Sequence, residues 1–403
     1  QFEGVVAKRL TEVETRPDRS NQHELNGSTA LRKLLGDDDR RNIPARFIWL
    51  GEEEAAISVD GMLSWYDARR KHPVRTEYRL YYRSNEVTEV MAPCDVFFLA
   101  MRPDGSALLI VVPADSTVQN QLLWLFGLDD LSGTSFSFQQ IEGAHDPELD
   151  FAARYILDEL GVEPEEPEAN ILDTLIEPFG LRFPTTRVFS ELARSSLPDV
   201  SAHDDPDGAL VEWMEREGQL CRRLERRVVA EKINGGFQCA EGADVDGFLA
   251  FSLSVQNRRK ARAGSALENH LEAVFQANGL RYARGAETEN RNKPDFLFPG
   301  KAAHADPLFP ADRLTMLGSK STLKDRWRQV LSEAVRIRKK HLLTLEPGIS
   351  ENQTDEMRVK ELQLVLPQKL HTTFRPSQQA WLMNVGEFIS LVRGRQDDEC
   401  FPE

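Results

Sequence analysis

Short apolar runs, each closed by turn-forming residues, fill the first third of the chain. Residues 45–50, 77–82, 96–101 and 107–112 have the length and the β-branched or aromatic content of strands. Between the last two, Arg102-Pro103-Asp104-Gly105 reads as a hairpin turn, because proline presets φ and Asp-Gly tolerates positive φ. Residues 118–127 then take a helical pattern. The run from Glu77 to Arg83 alternates charged and aromatic side chains, which suits a sheet face against DNA and an ordinary half-buried strand equally. The pattern changes after Gly161-Val162-Glu163-Pro164-Glu165-Glu166-Pro167-Glu168, whose prolines and acids have the composition of a linker. A polar stretch at 198–208 reads as a loop, and helices are predicted over 209–231, 245–255 and 266–278. Apolar strands at 296–298 and 314–317 follow, then a long helix over 322–340 that Ser321 or Thr322 would cap. Strands at 342–345 and 362–365 and a closing helix at 378–392 complete the pattern. The expected organisation is a β-rich domain over 1–160, a linker over 161–175, and an α/β domain with a central mixed sheet over 176–403.

Composition narrows the function classes. A chain of 403 residues accommodates two or three domains. No run approaches the ~20 apolar residues of a membrane span, and the first residues show no secretory apolar core. Cys94, Cys221, Cys239 and Cys400 are scattered without a Cys-x-x-Cys pair, so neither a zinc ribbon nor a disulfide framework is expected and a cytoplasmic location is the simplest. His270, His304 and His341 are equally dispersed and read as structural or DNA-contacting, not as zinc ligands. Neither a Walker loop nor a Gly-rich dinucleotide fingerprint occurs, so ATP- or NAD-dependent chemistry is not indicated. The net charge of −15 argues at first against a nucleic-acid partner. Its distribution argues the other way: residues 320–340 carry eight Lys/Arg and two acids, and residues 256–262 carry four basic residues and no acid. Such runs fit a DNA-binding cleft, or simply a solvated helix face.

The chemistry concentrates where these elements meet. Lys293-Pro294-Asp295-Phe296 puts a carboxylate at the head of an apolar strand, Lys320 ends the next strand, and Glu333 follows on the predicted helix. Two carboxylates and a lysine make a metal site beside a phosphate, the chemistry of a Mg²⁺-dependent nuclease. Arg326 and Glu333 are seven residues apart, about two turns of a helix, and would share one stripe. Lys324, Asp325 and Arg326 suit base recognition, since arginine reads guanine O6 and N7 and aspartate accepts from cytosine N4. Asp325 equally fits a helix N-terminal acid stabilised by the macrodipole. Arg258, Arg259, Lys260 and Arg262 suit phosphates, and Trp327 suits a core.

Together these motifs resemble the PD-(D/E)xK nucleases, in which the second acid ordinarily stands two residues before the lysine. Here that position is Gly318, and Glu333 matches the relocated glutamate of a branch of restriction endonucleases. The resemblance extends to the EcoRII-type (type IIE) restriction endonucleases. It runs through Leu181-Arg182-Phe183-Pro184, Asn257-Arg258-Arg259-Lys260, the segment from Gly264 to Glu272, and Lys324-Asp325-Arg326-Trp327-Arg328-Gln329. It covers the last 225 or so residues strongly. It implies Mg²⁺ held by Asp295 and Glu333, assistance from Lys320, and a secondary acid at Glu268, although Glu272 one turn on has the same helical phase. It further implies a palindromic DNA site with outer CC and GG pairs read by a homodimer, and a cognate DNA methyltransferase. The N-terminal part resembles more weakly the B3-like pseudobarrel, implying a second DNA copy bound through residues such as Arg79, Tyr81 and Arg83. Two rivals stand beside this reading: a nuclease of the same fold that senses methylated DNA, and a non-catalytic DNA-binding regulator.

Overall fold

A computed structural model describes residues 2–15, 24–51, 56–128, 131, 134–140, 150–159, 169–239, 242–323 and 326–397. The chain divides into two units. The first holds Gln1–Val162 and recruits Pro347–Thr354 and Thr373–Arg375 from much later in the sequence. The second holds Glu163–Glu346, Asp355–Thr372 and Pro376–Glu403. The expectation of a contiguous first domain is corrected accordingly. The recruited segments are tied in by hydrogen bonds that no local pattern announces: Gln121 Nε2 donates to the Pro347 carbonyl at 2.9 Å and the Ser350 amide to Thr117 Oγ1 at 3.1 Å.

The first unit is built on one eight-stranded sheet. Its strands are β1 (Gly4–Arg9), β2 (Glu24–Asn26), β3 (Arg40–Trp49), β4 (Ile57–Asp67), β5 (Tyr78–Tyr82), β6 (Val96–Met101), β7 (Ala107–Val112) and β8 (Ser137–Gln140), in the order β2-β5-β4-β3-β7-β6-β1-β8. Only β3–β7 is parallel. The unbroken apolar runs of β6 and β7 bury all their residues because both faces of the sheet are covered. Phe47, Leu99 and Leu109 face one core, and Ile48, Phe98 and Ile110 face the other, which also holds Leu122, Leu123 and Ile156 from two covering helices. The predicted turn is present: Gly105 sits at φ 78° and its amide donates to the Arg102 carbonyl at 2.9 Å. On β5 the period of two is clear, with Tyr78, Leu80 and Tyr82 buried and Arg79 and Tyr81 half-buried on the outer side.

Four helices open the second unit: Ala169–Ile176, Thr186–Ser195, Pro206–Asn234 and Val245–Ala277, the last two meeting near a small hairpin of β9 (Gln238–Cys239) and β10 (Gly242–Ala243). Of the expected linker, residues 161–168 lie outside the described residues, and the remainder is a helix. Its Leu172 and Ile176, four apart, are buried with Phe189, Ala193, Leu220 and Leu224, which is why Ala169–Ile176 folds. The helices expected at 245–255 and 266–278 are one continuous helix. The basic run lies on it, and nothing in that stretch forces a break.

A five-stranded mixed sheet follows, in the order β11 (Ala283–Arg284), β12 (Phe296–Phe298), β13 (Thr315–Lys320), β14 (Lys340–Thr344) and β15 (Leu362–Val365). The first pairings are antiparallel and the last two parallel. Phe275 of the long helix seats this sheet, with ring centroids 5.1 Å from Phe296 and 5.3 Å from Phe298. The expected closing helix is split into Pro376–Gln379 and Val385–Asp397. The break lies where Met383 leaves helical bonding and exchanges backbone hydrogen bonds with Leu364 and Leu366, at 3.1 and 3.0 Å.

The long helix expected over 322–340 is also corrected. Among its described residues only Trp327–Val330 is α-helical. Beyond it the amides of Ser332 and Glu333 donate three residues back, to Gln329 and Val330, and Ala334 turns to φ 44°. The helix-forming composition is overruled by tertiary partners: the Ser332 carbonyl accepts from Asn292, the Val335 amide donates to Glu289, and Arg336 donates to the carbonyls of His304, Asp306 and Phe309.

Candidate active site

Asp295 stands one residue before β12, with its carbonyl accepting from the Gly285 amide at 3.0 Å. Its Oδ2 accepts from the Ser319 amide at 2.6 Å, from Ser319 Oγ at 3.2 Å and from Lys320 Nζ at 3.2 Å. Lys320 ends β13, the antiparallel neighbour of β12, so the sheet ladder brings the acid and the lysine together from 25 residues apart. Both side chains remain about one-fifth exposed, at 21% for Lys320 and 18% for Asp295. The pair is fixed and still open to a ligand.

Gly318 leaves little room for a side chain. A Cβ added there would lie 2.9 Å and 3.2 Å from the two γ carbons of Val330. The short helix Trp327–Val330 therefore rests directly on β13, and the slot of the ordinary acid is filled by a valine. Glu333 comes three residues after that valine, through the bend, not from the second turn of a helix. Its carboxyl is pushed up to about 7, first by burial. Lys320 and Lys340 pull it down and Asp295 pushes it up, which puts those three charges within electrostatic reach of Glu333. Among the described residues the buried Glu333 Oε2 has no hydrogen-bond partner. Lys340, whose ammonium donates to the Ile337 carbonyl at 2.6 Å, has its own affinity for a proton lowered by burial. Lys320 thus contacts Asp295, and Glu333 lies within electrostatic reach of both, arriving through a bend and not along the expected helical stripe.

The remaining candidates divide. Lys324 and Asp325 lie outside the described residues, and Arg326 is exposed just before the short helix. Trp327 is core, fully buried, with the Arg328 guanidinium 4.8 Å above its ring. Much of the 320–340 basic run is engaged internally: Arg328 pairs with Glu356 at 2.9 Å, Arg338 with Glu361 at 2.6 Å, and Arg336 and Lys340 bind carbonyls. The second basic run behaves similarly. Arg258 lies 4.5 Å and Arg262 5.5 Å from the Phe183 ring centroid, Arg262 also donates to the Pro184 carbonyl at 3.0 Å, and Arg259 pairs with the buried Glu225. The side chain of Lys260 lies outside the described residues. Arg79 hydrogen-bonds Asn26 and pairs with Glu77, while Arg83 is exposed. His270, His304 and His341 are all buried, so a structural role fits each.

Glu268 is bound by Arg284 Nη2 at 2.9 Å. Arg284 Nη1 binds Glu272 at 2.8 Å and Asn269 at 2.9 Å. Sequence reasoning missed Arg284, as it missed Ser319 and Val330. Arg284 becomes visible only once β11 is registered against β12, whereas Ser319 could have been suspected from its place beside Lys320.

A family model described as the EcoRII C-terminal domain matches residues 221–389. Over 239 residues, 59% of this chain, the sequence is 40% identical to the type II restriction enzyme EcoRII of Escherichia coli. That match spans 57% of the length of the curated relative. Among solved structures, a metal-depleted Ecl18kI in complex with uncleaved, modified DNA aligns with a TM-score of 0.44 at 14% identity, covering 58% of this chain and 85% of that one. A PspGI–substrate DNA complex aligns with a TM-score of 0.44 at 13% identity, covering 54% and 95%. Residues 221–389 are thus similar to the EcoRII C-terminal domain, and the wider match reaches 59% of the chain.

Proposed function

We propose that this protein is a type II restriction endonuclease, hydrolysing double-stranded DNA at a short palindromic site with outer CC and GG pairs and using Mg²⁺. The observation that carries the reading is the Lys320–Asp295 pair at 3.2 Å with Glu333 in electrostatic reach of both. The donor set fits the ion. Asp295 and Glu333 offer hard carboxylate oxygens, and the buried Oε2 of Glu333 meets no hydrogen-bond partner among the described residues. Among the described residues no group of three His, Cys, Asp or Glu side chains forms a metal cage. Mg²⁺ is commonly held by one or two carboxylates, with phosphate oxygens and water completing its shell. When bound between Asp295 and Glu333 it supplies Lewis-acid neutralisation of phosphate charge.

The chain's own residues do the rest. Ser319 holds Asp295 Oδ2 through both amide and hydroxyl, which fixes the carboxylate before any ligand arrives. Lys320 keeps a cation beside it, where it orients a scissile phosphate and offsets the negative charge that grows as the attacking oxygen adds. Glu268 serves as a secondary acid. Lys324, Asp325 and Arg326 read the outer C:G pairs, and the exposure of Arg326 supports its share. The β-rich unit reads a second DNA copy through Arg79, Tyr81 and Arg83, and a two-fold dimer meets the palindrome. No helix among the described residues is long and apolar enough to cross a membrane.

Digestion of DNA of known sequence with Mg²⁺, followed by sequencing of the ends, tests the reading. One recurring palindromic site is expected. Cleavage confined to methylated DNA would replace it with the modification-sensing rival, and intact DNA under every condition would refute it. Arg326→Ala should cost about 1–3 kcal/mol of discrimination per lost bidentate contact. Binding to duplexes substituted at each outer pair measures this, and a loss spread evenly over all sequences would make Arg326 a phosphate contact.

A further inference from the structure

We propose that Arg284 is a positioning residue that holds Glu268 against the edge of the sheet bearing Asp295; this rests on the nuclease reading above. Glu268 and Glu272 lie one turn apart on the Val245–Ala277 helix, and sequence phase does not distinguish them. Their surroundings do. Glu272 is bound by Arg284 at 2.8 Å, by the Tyr282 hydroxyl at 3.3 Å and by Arg187 at 3.4 Å, so both its oxygens are engaged. Glu268 has Arg284 as its charged partner among the described residues, at 2.9 Å through Oε2, and its side chain is 32% exposed against 19% for Glu272. Glu272 is thus an anchor, and Glu268 is the acid with an oxygen to offer.

Arg284 links these acids to the catalytic strand. It sits on β11 in register with Phe296, the residue after Asp295, and the next amide along, Gly285, donates to the Asp295 carbonyl at 3.0 Å. One guanidinium therefore spans the helix and the strand pair, with Asn269 Oδ1 as a third acceptor at 2.9 Å and Ser190 Oγ bound in turn by Asn269 Nδ2 at 3.1 Å. The planar fork lets separate nitrogens serve separate acids, which an ammonium cannot reproduce. Without Arg284 the two glutamates would repel each other, and Glu268 would lose its orientation relative to Asp295.

The test is a double-mutant cycle on the full chain, with Arg284→Gln, Glu268→Gln and the double variant. Single-turnover cleavage with Mg²⁺, DNA affinity without metal, and thermal melting are read for each. Arg284→Gln should lower the cleavage rate ten- to a hundredfold and change DNA affinity less than threefold. In the Glu268→Gln background the same substitution should change the rate less than twofold, because its route of action is already gone. Arg284→Lys should recover part of the rate. Rate losses that multiply in the double variant would overturn the proposal, as would a tenfold loss of affinity at unchanged rate, which would make Arg284 a phosphate contact. If the wild type cleaves no DNA, the nuclease reading fails by itself. Melting then decides the clamp: coupled losses of Tm at Arg284 and Glu268 uphold it, and additive losses refute it.

Discussion

The two parts of the chain that supply the candidate active site are held by different physics. Asp295 and Lys320 come from β12 and β13, where a backbone ladder fixes the register and side chains only complete it. Glu333 comes from residues 321–340, where the backbone leaves helix after four residues and is held by side chains from distant segments. A ladder reads out local apolar pattern, so its geometry is written in the sequence around it. A segment pinned by Asn292, Glu289 and three far carbonyls takes its shape from the rest of the fold. The lesson is that residue order can nominate a candidate site while one of its proposed members takes a path that local pattern does not give.

The sharpest way to break the comparison is to remove the ladder's cation. Lys320→Ala should lower Mg²⁺-dependent cleavage by about 10²–10³-fold, the range seen when one charge-stabilising donor is lost. Specific DNA binding should persist, since the interaction grows mainly in the transition state. Cleavage at the wild-type rate would remove Lys320 from the chemistry.

Legibility followed the same division. β6, β7, β12 and β15 matched their expected bounds because each is a short apolar run between turn signals. β4 was not anticipated: Ile57–Asp67 mixes Ser, Asp and Gly with apolar residues, and much of its first half is exposed, with Met62 at 53%. The helices at 245–255 and 266–278 were separated because the intervening basic residues gave no apolar stripe; Arg258 and Arg262 instead stack on Phe183, a partner far away in sequence. The order Asp295, Gly318, Lys320, Glu333 was legible, and the reason for Gly318 was not, because it lies in the approach of Val330.

That approach gives the second test. Gly318→Glu would restore the ordinary acid position, yet it should not restore function to Glu333→Ala. The new Cβ meets Val330 at 2.9 Å, so overpacking should cost about 1–3 kcal/mol, and the carboxylate would be buried besides. Chemical denaturation measures the loss, and Val330→Ala should recover part of it. A stable, active Gly318→Glu/Glu333→Ala protein would show that the slot is open.

A third test probes the ladder through pH. His341 lies fully buried on β14, paired with Leu317 of β13, its ring centroid 5.2 Å from that of Phe388. Burial, aided by the charges of Arg395 and Lys339, lowers it to about 3. The folded imidazole is therefore neutral where the unfolded one binds a proton. Its contribution is intact above the unfolded pKa of about 6.5 and declines as pH falls toward 3, by up to ~1.4 kcal/mol per unit. Denaturation of His341→Leu across pH 7.5 to 4.5 should show a shallower slope; His270, His304 and His371, also lowered by burial, keep the remainder. An unchanged slope would mean that His341 titrates normally in the fold.

The smallest effect bears on the segment that composition misread. Ala334 is fully buried and holds φ 44°, in the left-handed region where a Cβ crowds the following carbonyl at a cost of roughly 1–2 kcal/mol. The turn is therefore imposed by its neighbours: Ala334 accepts the Ile337 amide at 2.9 Å, and the flanking Val335 amide is taken by Glu289 at 3.2 Å. Glycine adopts that φ freely but gains more freedom in the unfolded chain, which offsets part of the relief. Ala334→Gly should thus stabilise the protein slightly, by about 0.5–1 kcal/mol, where the same change within a helix would destabilise it by a similar amount. The sign alone, read from equilibrium denaturation, separates the bend from the helix that residues 322–340 were expected to form. A clear loss of stability would restore that helix and leave Glu333 to approach Asp295 by the two-turn stripe after all.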